Sequence, residues 1–395
     1  MSLGGYRLNI VISGKRNVGK SSIINSLLNQ DIALVSDYPG TTTDPVYKTM
    51  ELHPIGPVTI IDTPGIDDVG NLGNKRVQKA HHAFMKSDIG LLVVDDYPDV
   101  YFSNILKIFE KNDIPFLIVL NKIDMFKSDI IEYYSKKYKK NFVSISAKKN
   151  IGIEELKNKI VSMKPEERSI PMIPEFIKEN DIVLLIIPID TGAPKGRLIM
   201  PQVNAIREIL DKKAFPVETS IEGIPNILNL LSKKPDLVIT DSQAIKKVSQ
   251  LIPEDIKLTT FSILEARHKG DLRLLSENIE EIENLNDGDS ILIMEGCAHR
   301  PMSEDIGRVK IPNWLKKYTG KELNFKFIAG KEFPDEEDLL NTKIIIHCGG
   351  CTLTRTMMMR RLVHIKRLNI PIYNYGVIIS YLNGVLERVM IPDLL

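Results

Sequence analysis

Charge of one sign is missing from this sequence: 52 Lys+Arg stand against 51 Asp+Glu, a formal net charge of +1 at pH 7. No bulk field therefore draws the chain to nucleic acid or to an anionic membrane, and either partner would need a local patch. Cysteine is scarce too. Three in 395 residues cannot build a disulfide framework, which excludes the stapled folds of small secreted proteins. Long apolar runs are also absent: the longest, Ile182 to Ile189, has eight residues between Asp181 and Asp190, far short of the roughly 20 that cross a bilayer. It reads as a buried strand. A signal peptide is not expected, because Leu8 to Ile12 is needed as a strand and a motif begins at Gly14. These absences leave a cytoplasmic protein with no membrane contact, and 395 residues at 43% hydrophobic call for two or three cores.

What is present begins with Gly14-Lys-Arg-Asn-Val-Gly-Lys-Ser21, which fits the phosphate-binding loop between a strand-like run and the helical start Ser22 to Leu28. In such a loop the backbone N–H groups of residues such as Gly14, Asn17, Val18, Gly19 and Ser22 wrap phosphates. Lys20 reaches the outer phosphate oxygens and Ser21 binds Mg²⁺. Ile60-Ile-Asp-Thr-Pro-Gly65 then ends a strand with Asp62, which can hold Mg²⁺ through water, and Gly65, whose N–H can meet the terminal phosphate. Asn121-Lys122-Ile-Asp124 follows the strand Leu117 to Leu120. A carboxylate at Asp124 accepts from two donors on guanine but would face an acceptor on adenine, so GTP is predicted over ATP. Ser144-Ile-Ser146-Ala147-Lys148 resembles the fifth GTPase motif, whose backbone meets the guanine carbonyl.

Gly40-Thr-Thr-Thr-Asp44 resembles the switch segment of the TrmE–Era subgroup of GTPases and nominates Thr42 as the second Mg²⁺ ligand, with Thr41 and Thr43 as alternatives. Asn17 is a further likeness to that subgroup and implies K⁺ beside the phosphates; otherwise it bonds loop backbone. Ile66 stands where familiar small GTPases place a water-orienting glutamine. Hydrolysis of GTP to GDP is therefore expected to be slow and K⁺-stimulated, with Lys20, Thr42 and Gly65 as the catalytic set.

The prolines between Pro165 and Pro174 read as a linker. Beyond it, Asp181 to Asp190 and Asp236 to Thr240 read as strands and Met200 to Leu210 and Gln243 to Leu251 as helices, with no catalytic constellation. Asp190, Asp241, His268 and the turn Gly192 to Arg197 read as surface polar features. A third unit brings Ser290 to Met294 up to Cys297-Ala-His299, and Thr342 to Ile346 up to His347-Cys348-Gly-Gly-Cys351. If these strands are parallel neighbours, all three thiols meet at the C-terminal edge of a sheet, where such folds bind ligands. A helix starting after Cys351 would favour thiolates there. Its basic run, Arg355, Arg360, Arg361, Lys366 and Arg367, either contacts phosphate or is a solvated face with Met357, Leu362 and Ile365 inward. The fold class is α/β: a P-loop GTPase domain at 1–168, then two further α/β domains with mainly parallel sheets, 175–270 and 271–395.

Three thiolates suit a [4Fe–4S] cluster with one iron open, or Zn²⁺ completed by His299 or His347. The whole pattern, Cys297-x-His299 and His347-Cys348-x-x-Cys351 downstream of a TrmE–Era-like GTPase, resembles the HydF family of [FeFe]-hydrogenase maturation GTPases along the full chain. The resemblance implies a dimerisation domain at 175–270, and a cluster domain at 271–395 with Cys297, Cys348 and Cys351 as ligands. His299 and His347 would be a fourth ligand or would bond to the thiolates. It also implies a homodimeric scaffold that takes a transient diiron subcluster precursor made with the radical-SAM maturases HydE and HydG and passes it to apo-[FeFe]-hydrogenase. A ribosome- or tRNA-acting GTPase, and a GTP-switched interaction protein with a structural zinc, are the alternatives. The tRNA-modifying relatives resemble this chain in the GTPase part alone.

Overall fold

The computed structural model describes residues 7–28, 37–38, 46–63, 83–125, 128–164, 170–188, 198–297, 305–330, 333–334 and 336–394. They fall into two compact units, 1–167 and 168–395.

In the first unit seven strands form one sheet: β1 (Leu8–Ser13), β2 (Asp37–Tyr38), β3 (Val46–Leu52), β4 (Gly56–Asp62), β5 (Ile89–Val94), β6 (Phe116–Leu120) and β7 (Phe142–Ser144). The order is β2-β3-β4-β1-β5-β6-β7. β3 runs antiparallel to both its neighbours, and the remaining pairs are parallel. Side chains of a strand alternate between faces, and the core divides accordingly. Ile10 and Ile12 of β1, Leu91 of β5 and Val119 of β6 pack with Ile23, Ile24 and Leu27 of helix Lys20–Leu28 and with Leu156 and Ile160 of helix Ile153–Ser162. On the other face Val11, Leu92 and Ile118 meet Phe102, Ile105 and Phe109 of helix Val100–Lys111 and Tyr134 of helix Ser128–Tyr138. Both faces are covered, as a largely parallel sheet requires.

The second unit holds two four-stranded, wholly parallel sheets. The first contains β8 (Ile182–Ile186), β9 (Phe215–Thr219), β10 (Leu237–Thr240) and β11 (Leu258–Thr260) in the order β11-β10-β8-β9. The second contains β12 (Ser290–Met294), β13 (Asn324–Ile328), β14 (Ile344–His347) and β15 (Ile372–Asn374) in the order β13-β12-β14-β15. Read from opposite edges these orders are the same, so one doubly wound arrangement occurs twice. Helix Phe261–Lys269 follows β11 and helix Tyr375–Leu382 follows β15, and the two pack together. Thr260 caps the first and Asn374 the second, and the Ser262 hydroxyl donates to Asn374 Oδ1 at 3.0 Å between them. One apolar core runs through both sheets. The boundary expected at 270/271 falls at Gly270, just after helix Phe261–Lys269, inside that continuous core.

The strand expected over 181–190 is shorter than the apolar run: it stops at Ile186, two residues before Pro188, which has no N–H for a ladder. Residues 189–197, with Asp190 and the turn Gly192 to Arg197, lie outside the described residues, as do residues 165–169 of the linker expected over 165–174, whose end departs from that reading because Met172 and Ile173 are buried in the core.

Candidate functional site

At the end of β1 the chain enters the phosphate loop, where Asn17 and Gly19 have φ of 62° and 96°. This turns successive N–H groups toward one concavity. Gly19 is obligatory on two counts, since beyond its left-handed backbone a Cβ would fall 2.2 Å from Asn121 Nδ2. Lys20 opens helix Lys20–Leu28 and its ammonium donates to the carbonyls of Gly14 (2.6 Å) and Lys15 (2.8 Å), which lays it across the loop. Ser21 and Ser22 are exposed on the first turn.

Asn121, 3% exposed, joins the phosphate and base ends of the site. Its amide nitrogen donates to Val18 O at 2.9 Å and its amide oxygen accepts from Ala147 N at 3.0 Å. Asp124 accepts from the Ser146 hydroxyl at 2.7 Å. That bond, above all, holds its carboxyl below the usual value, with Lys149 and Lys148 adding to it. Asp62 ends β4 with Oδ1 buried and without a hydrogen-bond partner among the described residues. Burial pushes its carboxyl up against the pull of Lys20 and Lys48, an environment that a cation would relieve. Thr42 with Thr41 and Thr43, Gly65 and Ile66 lie outside the described residues.

Two residues of this site escaped the sequence reading. Asp95 accepts from Lys122 Nζ at 2.5 Å, and Asp99 pairs with Lys15 of the phosphate loop while capping helix Val100–Lys111. The available signal was the acidic stretch Asp95-Asp96-Tyr-Pro-Asp99 at the end of an apolar strand.

In the second unit β12 and β14 are parallel neighbours, with Met294 opposite His347 in register. Cys297 therefore follows one strand and Cys348 and Cys351 the next, all at the C-terminal edge. The two loops are packed together: Thr352 Oγ1 donates to Gly296 O at 2.6 Å, and a Cβ on Gly296 would lie 3.2 Å from Gly350 Cα. Cys348 Sγ accepts backbone N–H groups from Gly296 (3.0 Å) and Gly350 (3.4 Å). The three half-buried cysteines are thiols, not disulfides. Burial and then neighbouring thiols push Cys297 up to about 11 and raise Cys351; burial also raises Cys348. The thiolate bias expected from the following helix is thus outweighed by desolvation, and Thr354 already caps that helix, Arg355–Arg367.

His347 is wholly buried, and both ring nitrogens are engaged. Nδ1 lies 2.7 Å from the Cys348 carbonyl and Nε2 3.0 Å from Arg361 Nη1. Burial, then the Arg361 charge, push it down to about 3, so the ring is neutral. His299 lies outside the described residues. Among the described residues no three His, Cys, Asp or Glu side chains are drawn close enough to hold a single metal ion.

The basic run after Cys351 matches the solvated-face reading in part, with Met357, Leu362 and Ile365 buried as expected, and departs from it at Arg360 and Arg361. Arg361 is 1% and Arg360 8% exposed, while Lys366 and Arg367 are exposed. Position 361 lies one helical turn from Met357 and from Ile365, on the face that packs inward. The sequence reading also passed over Glu265. It is 1% exposed, neither carboxylate oxygen has a hydrogen-bond partner among the described residues, and its Cβ lies 3.0 Å from the position a Cβ on Gly349 would take. Helix Phe261–Lys269 thus presses a buried carboxyl against the cysteine loop from the other sheet's half. Asp241 and His268 are partly buried: Asp241 accepts from Gln202 at 3.2 Å and His268 Nδ1 meets Ile170 O at 2.7 Å.

Three family profiles match in sequence. Residues 9–122 match the 50S ribosome-binding GTPase family. Residues 172–270 match the hydrogen maturase F dimerization domain and residues 273–392 the hydrogen maturase F tetramerization domain, together more than half of the chain. The chain belongs to the hydrogen maturase F family. Among curated relatives, the tRNA modification GTPase MnmE of Carboxydothermus hydrogenoformans is 37% identical over 181 residues, 44% of this chain and 37% of that protein. GTPase Der of Kosmotoga olearia is 43% identical over 93 residues, 22% of this chain and 21% of that protein. The chain spans well under half the length of these relatives. A solved structure of Aquifex aeolicus Era bound to GDP·AlF4⁻ aligns at 21% identity and a TM-score of 0.34, over 57% of this chain and 98% of that one. In this hydrogen maturase F chain the cysteine loops fall within the tetramerization match, whereas Glu265 belongs to the dimerization match. Among the described residues no helix is long and apolar enough to cross a membrane.

Proposed function

We propose that this hydrogen maturase F chain is a cytoplasmic GTP-hydrolysing carrier, which holds a [4Fe–4S] cluster on Cys297, Cys348 and Cys351 and delivers a diiron subcluster precursor to apo-[FeFe]-hydrogenase. HydE and HydG would supply the precursor. One observation carries this reading: two parallel neighbouring strands bring three cysteine positions to one sheet edge, in a chain whose first unit is a P-loop GTPase domain.

In the first unit the phosphate-loop N–H groups and the Lys20 ammonium neutralise the phosphates as charge develops on them. Asp124 accepts from the guanine edge, held in aim by Ser146, while Asn121 fixes the distance between base and phosphates. Ser21, Asp62 and Thr42 would hold Mg²⁺, for which the orphaned Asp62 oxygen is suited, and Asn17 would contribute to a K⁺ site. With Ile66 after Gly65, the chain lacks a glutamine there to orient water, so turnover to GDP is slow unless K⁺ or a partner assists.

The cysteine residues suit an iron–sulfur cluster: their donors are thiols, N–H groups point at Cys348 Sγ, and Gly296 and Gly350 let the two cysteine loops approach closely at one sheet edge. Three thiolates leave one iron exchangeable, which supplies the attachment point a carrier needs. A homodimer would form through residues 175–270, where Leu198, Ile199, Val203 and Leu210 around helix Met200–Asp211 and Phe215 on edge strand β9 are exposed. Anaerobic purification with metal analysis and EPR tests the reading. About four irons and four sulfides per chain with a reduced cubane signal support it, and one zinc with no iron removes it.

A further inference from the structure

A fully buried arginine needs a structural reason, because removing a guanidinium from water costs several kcal/mol unless its donors are well satisfied. Arg361 is 1% exposed. Its Nη1 donates to His347 Nε2 at 3.0 Å, and its Nη2 donates to Gly330 O at 2.8 Å. A guanidinium only donates, so Nε2 carries no hydrogen; the Cys348 carbonyl only accepts, so Nδ1 does, and the imidazole is held in one tautomer. The other arm continues through Gly330, whose N–H donates to Cys297 O at 3.2 Å. Gly330 turns the chain after β13 with φ of 77°. The third cysteine, Cys351, is tied to the same helix by the chain itself, four residues before Arg355.

We propose that Arg361 is the positioning residue of the cysteine site: one buried guanidinium fixes the loop of Cys297 through Gly330 and the loop of Cys348 through His347, setting both against the helix that starts after Cys351. It acts through backbone carbonyls and need not touch the metal. The inference rests on the cluster reading. It also assigns His347 a fixed role, since an imidazole with both nitrogens bonded has no lone pair to give to iron. A lysine would not substitute, because a single ammonium lacks the planar fork that reaches both acceptors at once.

The test uses the full chain, reconstituted anaerobically with iron and sulfide, as parent, Arg361→Met, Arg361→Lys, His347→Asn and the Arg361→Met/His347→Asn pair. The readouts are iron per chain, reduced-state EPR and the rate of iron loss to a chelator, with melting of the metal-free chains as control. Removing a bond to a metal ligand's surroundings weakens metal binding by about 10–100-fold. Both Arg361 variants should therefore lose iron about tenfold faster with an altered EPR line shape. The double variant should be no worse than the worse single one, because both act through one chain of bonds. Should Arg361→Met not fold, His347→Asn reads the same link. Parent-like iron content, release rate and spectrum in a folded Arg361→Met or His347→Asn chain would overturn the inference. A parent that takes up no iron would fell the cluster reading and this inference with it.

Discussion

Replacing Glu265 with glutamine should stabilise the metal-free chain at alkaline pH and leave it nearly unchanged in acid. Burial pushes this carboxyl up from 4.5 to about 7, and the Lys269 charge and the nearby Asn204 amide offset only part of the cost. The folded chain holds the proton more tightly than the unfolded chain does. Stability is therefore full below about 4.5, falls as the pH rises from there through about 7, and stays low above it. Such a displacement corresponds to about 3 kcal/mol, at about 1.4 kcal/mol per pH unit. Glutamine is neutral throughout, so the difference between variant and parent should open by that amount between pH 4.5 and pH 8. The single tryptophan, Trp314, packs against the same core and reports this unit alone. Urea unfolding followed by its fluorescence should show the variant's midpoint rising relative to the parent by about 1 M at pH 8, for a slope of about 3 kcal/mol per molar. Parallel stability–pH profiles for the two chains would refute the reasoning, by showing that the carboxyl ionises in the folded state as it does in the unfolded one.

Lys20→Ala should slow GTP hydrolysis by about 100-fold or more, because it removes a side-chain cation laid across the phosphate loop; phosphate release at saturating GTP measures it. Asp124→Asn should weaken GTP binding by about 100-fold and reduce the preference over ATP, read by competition titration. Each of Cys297→Ser, Cys348→Ser and Cys351→Ser should lower bound iron and block activation of apo-hydrogenase while leaving GTP turnover within about twofold, since the phosphate loop lies in the other compact unit. Val203→Glu with Leu210→Glu should shift light scattering toward monomer while the chain keeps its melting temperature, because both side chains already face solvent.

The first unit was legible because its information is local. Apolar runs at Leu8 to Ile12 and Leu117 to Leu120 deliver short motifs whose spacing fixes a loop, and strand parity then sets which residues face each helix. The meeting of β12 and β14 followed from the same logic. Arg361 and Glu265 were not legible, since a charged residue's burial depends on which helix face packs inward and on what stands across the gap. The repeated strand order was hidden as well: the halves share element spacing, while Lys-Pro-Asp-Leu-Val-Ile-Thr and Asn-Thr-Lys-Ile-Ile-Ile-His share little beyond a continuous run of three apolar residues. The run Asp181 to Asp190 misled about strand length because hydropathy does not register a missing N–H at Pro188.

The doubled architecture of the second unit makes its two halves interchangeable templates. β10 and β14 are each the third strand of their sheet, so Asp241, one residue past Thr240, stands where the other half has Cys348, one residue past His347. The same scaffold position carries a carboxylate bonded to Gln202 in one copy and a sulfur receiving two backbone N–H groups in the other. On the proposed reading, the iron site would thus be a property of loop sequence written onto a ready-made edge, with the sister edge a matched blank in the same polypeptide. Grafting the loop after β14 onto β10 would ask whether the strands alone, or the buried guanidinium behind them, make such an edge fit to carry metal.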